Sequence, residues 1–325
     1  MAFSPQRRLG LKTALALSAL PLLACQGREP LLRIGAHDWP GYAPLFLARE
    51  LGYMNPSQVR LHELTSATNA LQALSAGAID AAGLTLDEVL TARSEGLTLT
   101  AALIFDFSAG ADVLLAHPAL ASLADLRGRR IGAESSAVGA VMLDAALTAA
   151  GLDPSAVQIV PLTVDRHEAA FLTGEVDAVV TFEPVAHHLE RRGARRLFDS
   201  SSIPGRIVDV LAVRPTAIAA SPMALRGLLK AYFHSLDYLA AHPRDATRIM
   251  GAQLALEPEA TLTALAGLQQ PDLALNQRWL RGAEAELPRR ASELAALMVA
   301  RRLLPGPVSL AGIGNGNFLP GEPRP

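Results

Sequence analysis

Three kinds of side chain stand where they could do chemistry. Trp39 and Tyr42, one of two tryptophans and one of four tyrosines, fall in the loop His37-Asp38-Trp39-Pro40-Gly41-Tyr42 directly after a strand-like run. Flat rings with a polar edge can wall a guest, and each can stabilise a cation by about 0.5–2 kcal/mol. Capping a core is the other duty open to Trp39. Hydroxyls occur in Thr65-Ser66-Ala67-Thr68-Asn69, in Thr85-Leu86-Asp87-Glu88 and in Glu134-Ser135-Ser136-Ala137-Val138-Gly139. They read equally as helix N-caps and as donors to a ligand. Carboxylates are the third kind. Asp106, Asp112 and Asp209 lie in or beside small-residue stretches, and Glu183 precedes Pro184, which suits a first helical turn and would hold that carboxylate at the mouth of a sheet. Solvated loop charge and helix capping remain open to all four.

This chemistry is recognition, not catalysis. No GxSxG, P-loop or HExxH pattern occurs. His187 and His188 are adjacent, so on a helix they point about 100 degrees apart and cannot easily chelate one metal. A lone cysteine, Cys25, excludes an internal disulfide and a cysteine cluster for zinc or iron-sulfur ligation. No cofactor and no metal are expected.

The elements that must position these groups alternate. Strand-like and helix-like runs follow one another twice, first from LLRIGA to LDEVLTARSEG and then from RRIGA to EPVAHHLERRG. Strand, helix, strand, helix predicts an α/β fold with parallel-rich sheets. The two sets match in detail: Gly35-Ala36 recurs as Gly132-Ala133, and Gly77-Ala78-Ile79-Asp80-Ala81 as Gly174-Glu175-Val176-Asp177-Ala178, both 97 residues on. A constant offset predicts two similar lobes. In open parallel sheets ligands bind beyond the carboxyl ends of the strands, where these loops fall. Residues 105–112 and 200–209 read as crossovers between lobes, so that lobe 1 comprises 31–111 and 210–304 and lobe 2 comprises 112–209. From about Ser221 the pattern is helical. Residues 305–325 hold five prolines and five glycines and read as a loose or draped tail.

Residues 1–24 read as a signal peptide, with Arg7, Arg8 and Lys12 ahead of the short apolar run TALALSALPLLA. Leu22-Leu23-Ala24-Cys25 resembles the bacterial lipobox, which implies a lipid on Cys25 and a tether over 25–30. With Gln26 rather than aspartate after the cysteine, the inner leaflet of the outer membrane is one expected location. The full chain of 325 residues carries 29 basic and 31 acidic residues. Removing the leader leaves 26 against 31, mildly acidic, which argues against nucleic acid as a partner.

Six stretches taken in order carry a family resemblance: Trp39-Pro40-Gly41-Tyr42-x-Pro44-Leu45-x-Leu47-Ala48, Gly52-Tyr53, Ala76-Gly77-x-Ile79-Asp80-Ala81, Asp125-Leu126-Arg127-Gly128-x-Arg130-Ile131-Gly132, Gly174-x-Val176-Asp177-Ala178 and Glu183-Pro184. Over residues 31 to about 250 the chain resembles the periplasmic solute-binding proteins of ABC importers of the nitrate, sulfonate and taurine type, a group that includes binders of thiamine-precursor pyrimidines and riboflavin. The resemblance implies a type II binding-protein fold, two lobes closing on a small solute. It further implies a monomer in the periplasm, held to the membrane by lipid only, that hands its solute to a permease with its ATPase. By position it places Trp39, Tyr42, Ser66, Thr85, Asp106, Ser136, Glu183 and Asp209 in the cleft.

The sequence departs from the anion-binding members. Among the candidate loops only Arg206 is basic, whereas Asp38, Asp106, Asp112, Glu134, Glu183 and Asp209 are acidic. Burying an anion beside several carboxylates is costly. A neutral or cationic nitrogen compound is therefore expected, its cationic edge toward Glu183. The alternatives are a solute-sensing lipoprotein feeding a signalling or envelope complex, and a nitrate, sulfonate or taurine-type anion binder. The resemblance extends to a pyrimidine-synthesising enzyme that relies on a cysteine-rich motif, which Cys25 alone cannot build, so no enzyme activity is expected.

Overall fold

The computed structural model describes residues 28–134 and 137–321. The expected leader, Cys25 and Ser136 lie outside the described residues. Five-residue runs such as Ala81–Thr85 and Ala178–Phe182 are buried at every position. Strands covered by helices on both faces need no polar alternation, which is why these runs read as continuous apolar segments.

Lobe 1 begins β1 (Leu32–Ala36), α1 (Ala43–Glu50), β2 (Val59–Glu63), α2 (Ala67–Ser75), β3 (Ala81–Thr85), α3 (Leu86–Ser94) and β4 (Thr100–Ser108). The chain then crosses into lobe 2: β5 (Asp112–Ala116), β6 (Arg130–Ala133), α4 (Ala137–Ala149), β7 (Gln158–Pro161), α5 (Val164–Leu172), β8 (Ala178–Phe182), α6 (Val185–Glu190) and β9 (Arg195–Asp199). It returns to lobe 1 in β10 (Val208–Val213), and β11 (Leu268–Gln269) adds an edge. The sheet orders are β11-β4-β10-β3-β1-β2 and β7-β6-β8-β5-β9.

Each sheet has a parallel half, β2-β1-β3 or β7-β6-β8, as the strand and helix alternation predicts. The other half is antiparallel, and its cause is the crossovers. Each sheet takes in the strand that has just arrived from the other lobe, β10 between β3 and β4, and β5 between β8 and β9. Ser108 and Ser200 tie the two crossovers with a 2.7 Å hydroxyl pair, and Gly110 N–H donates to Ser200 Oγ at 2.7 Å.

The 97-residue repeat is physical. Arg33 donates from its backbone and its guanidinium to Asp80, and Arg130 does the same to Asp177. Gly77 and Gly174 end the preceding helices at φ of 68° and 70°, the left-handed conformation that glycine adopts without a Cβ penalty.

Helices from Pro222 onward pack on lobe 1, with Pro222–Ala241 against α1 and Glu286–Ala300 against α3. Residues 305–321 contain little regular structure, but they are not loose. Arg93 and Arg281 donate to backbone carbonyls of this segment, among them Ser309 and Gly316, Ala101 bridges to Gly314, and Ile313 and Leu319 are buried. Guanidinium donors and the first residues of β4 here satisfy a backbone that cannot form its own ladder. Among the described residues no helix is long and apolar enough to cross a membrane.

Candidate ligand-binding site

The carboxyl ends of β1 and β3 face those of β6 and β8 across the gap between lobes, and the side chains there enclose a cavity of about 20 Å³. It has room for roughly one water molecule, and both lobes contribute to its lining. Lobe 1 provides a wall of rings. Tyr42 lies over Gly83, where a Cβ would come within 2.8 Å of the ring, so only glycine on β3 leaves the ring its seat. Gly41 serves Trp39 similarly, since a Cβ there would fall 1.7 Å from Asp106 Oδ2. His37 meets Tyr42 edge-on at 5.2 Å, and Phe182 of lobe 2 closes the ring set at 5.3 Å from Trp39.

Under the rings lies a row of acids. Antiparallel pairing puts Asp209 opposite Thr85 on one side and Asp106 on the other, and in lobe 2 it puts Asp112 opposite Phe182. Tyr42 Oη donates to Asp209 Oδ1 at 2.5 Å, and Trp39 Nε1 donates to Asp106 Oδ2 at 3.1 Å. The remaining oxygens, Asp106 Oδ1, Asp112 Oδ2 and Asp209 Oδ2, are buried without a hydrogen-bond partner among the described residues. Burial pushes the Asp106 carboxyl up to about 8 and the Asp112 carboxyl up to about 7. Burial, then the charge of Asp106, holds Asp209 well above the ordinary carboxylate range. His37 is lowered to about 4 by burial and is neutral near pH 7. Among the described residues no lysine or arginine lines the cavity.

Buried carboxyls with unmatched oxygens define what can enter. A cationic nitrogen guest offers donors and charge together, and it removes the desolvation cost that holds these carboxyls protonated. Among the described residues no group of three or more His, Cys, Asp and Glu side chains is arranged to hold a metal ion.

Of the residues the sequence singles out, Trp39, Tyr42, Thr85 and Asp209 line the cavity, and Asp106 stands behind Trp39. Two take capping duties instead. Ser66 accepts from Asn69 N–H at 3.1 Å as the N-cap of α2, and Glu183 Oε2 accepts from His187 N–H at 2.9 Å in the first turn of α6. Neither lines this cavity, and α6 holds one oxygen of the Glu183 carboxylate on its own helix backbone. Asp112, one of the carboxylates marked at the crossovers, lines the cavity, and so do His37, Glu134 and Phe182, which the resemblance did not place there. The repeat was the signal that points to them. His37 and Glu134, Thr85 and Phe182, and Asp112 and Asp209 are each 97 residues apart.

Two mixed α/β lobes joined by two crossing segments, with a site between the strand ends, are the type II periplasmic binding-protein fold. The chain belongs to the NMT1/THI5-like family, whose model matches residues 39–246. A protein of Brucella abortus named as a binding protein is 24% identical over 255 residues, covering 75% of this chain and 77% of the relative. One of Haemophilus influenzae named for thiamine biosynthesis is 25% identical over 285 residues, covering 84% and 88%. The solved alkanesulfonate-binding protein SsuA of Xanthomonas axonopodis pv. citri superposes with a TM-score of 0.75 at 22% identity, covering 87% of this chain and 98% of that one.

Proposed function

We propose that this protein is the solute-binding component of an ABC importer and that its solute is a small organic cation carrying a protonated nitrogen. One observation carries the reading: three buried carboxyls with unmatched oxygens sit beneath aromatic rings in a cleft that no lysine or arginine lines among the described residues. The lobes part by rotation about the paired crossovers at Ser108 and Ser200, admit the solute and close on it unchanged. The fold and the names of the relatives support a carrier that works in the periplasm beside a permease and ATPase, and the stretch Leu22-Leu23-Ala24-Cys25 supports a lipid on Cys25. A sulfonate or nitrate in this cleft would lie against Asp112, Asp209 and Glu134 without a counterion, which opposes the anion reading.

Mass spectrometry of whatever co-purifies, followed by calorimetry with a panel of primary, quaternary and heterocyclic ammonium ions, tests the reading. A cationic solute recovered intact supports it; tight binding of anions alone would overturn it. For the anchor, Cys25→Ser should move the protein from the membrane fraction to the soluble one.

A further inference from the structure

We propose that Glu134 is a built-in occupant of an anion site, a specificity-determining latch that seats on the N-terminus of α2 in the opposite lobe, locks the closed state and shuts anionic solutes out. Thr68 donates from both its backbone N–H and its hydroxyl to Glu134 Oε1, at 2.9 and 2.6 Å. Asn69 N–H is taken by Ser66 Oγ, so the first turn of this nine-residue helix is served by one side chain from its own lobe and one from the other. A helix N-terminus with free N–H groups holds partial positive charge and is a ready seat for an anion. Here a carboxylate of the chain fills it.

A second observation points from the same residue to the guest. Glu134 is 5% exposed, it lines the cavity, and its other oxygen, Oε2, is buried with no hydrogen-bond partner among the described residues. One carboxylate thus spans the lobe contact and the ligand space, so a donor on the solute reinforces the latch while an anion competes with it for the helix end. His37, 97 residues earlier at the equivalent place after β1, has a buried Nδ1 without a partner and makes no matching hydrogen bond to lobe 2 among the described residues. The latch is one-sided. Its locking role rests on the lobe-closing reading above; its exclusion of anions does not.

The test uses the full chain with sulfate as the probe, read by calorimetry, and X-ray scattering without any solute. The native protein should bind sulfate poorly. Glu134→Ala should bind it at least about tenfold more tightly, because the helix end is freed, and should show a larger radius of gyration. Thr68→Val, which keeps the backbone donor, should expand the particle less and gain no sulfate affinity. If Glu134→Ala does not fold, Glu134→Gln keeps the volume, removes the charge and is read by the same two measurements. Sulfate binding equal in native and variant overturns exclusion, and an unchanged radius overturns locking. Failure of the native protein to bind any ammonium ion would sink the cation reading and leave both results standing.

Discussion

Lobe 1 and lobe 2 run the same course of strands and place three pairs of residues, each 97 positions apart, around one cavity, yet the pairs differ in chemistry. After the first parallel strand stands neutral His37 in one lobe and Glu134 in the other; after the third stands Thr85 or Phe182. Only the crossing strands agree, with Asp209 on β10 and Asp112 on β5. The shared frame is kept by matching parts, the Arg33–Asp80 and Arg130–Asp177 pairs and the Gly77 and Gly174 turns. What differs lies at the strand ends, where no backbone rule fixes the side chain and the guest does. Lobe 1 brings rings and acids; lobe 2 brings a latch and a lid ring.

The strongest way to break this comparison is to neutralise the pair that both lobes share. Asp209→Asn and Asp112→Asn should each weaken an ammonium solute by about 2–4 kcal/mol, the range for removing one partner of a buried charge pair. Neither should lower Tm, since each removes a desolvated carboxyl. Calorimetry and thermal melts read both, and a loss confined to one variant would show that one lobe holds the charge alone.

The acids also set a pH dependence. Unfolded aspartates titrate near 3.8, whereas Asp106 and Asp112 in the fold titrate near 8 and 7. Between those values the folded state holds protons that the unfolded chain has released. Stability of the solute-free protein is therefore fullest below about pH 4 for these groups and is lost as pH rises toward 8. Affinity for a cation of constant charge runs the other way, rising from pH 6 to 8 as the carboxyls ionise. Denaturant melts across that window check the slope, and Asp106→Asn should flatten it.

The rings separate the lobes more gently. Trp39→Phe keeps a ring but loses the N–H to Asp106, and should cost about 1 kcal/mol of solute affinity. Phe182→Leu loses only ring contacts with Trp39 and His37, about 0.5–1.5 kcal/mol. Trp39→Phe should also shift the pH profile, because its N–H lowers the Asp106 carboxyl, whereas Phe182→Leu should not.

Much of this was legible in the sequence. The repeat, the loops at the strand ends and the acidic character of the cleft follow from residue order, since periodicity and turn glycines are local properties. Which carboxylate faces the guest is not local. Glu183 and Asp209 look alike in sequence, and only the capping of α6 turns one away while the pairing of β10 with β3 and β4 buries the other. The antiparallel halves of the sheets were hidden for the same reason, because a crossover shows its partner strands only once both lobes exist.

The smallest effect probes the frame itself. Arg33 and Arg130 are 38% and 41% exposed at the side chain, so each ion pair is screened by solvent and should contribute within about 0.2–1 kcal/mol. If the frame is the conserved part of the repeat and the strand ends its specialised part, Arg33→Ala and Arg130→Ala should lower Tm by similar small amounts and leave solute affinity unchanged. The guanidiniums sit at the amino ends of β1 and β6, a strand length from the cavity, so they reach the guest only through the lobes they brace. Equal losses in denaturant melts would mark the two pairs as one device used twice. A loss of affinity in either variant would mean that the frame, and not the strand ends alone, sets what the cleft accepts.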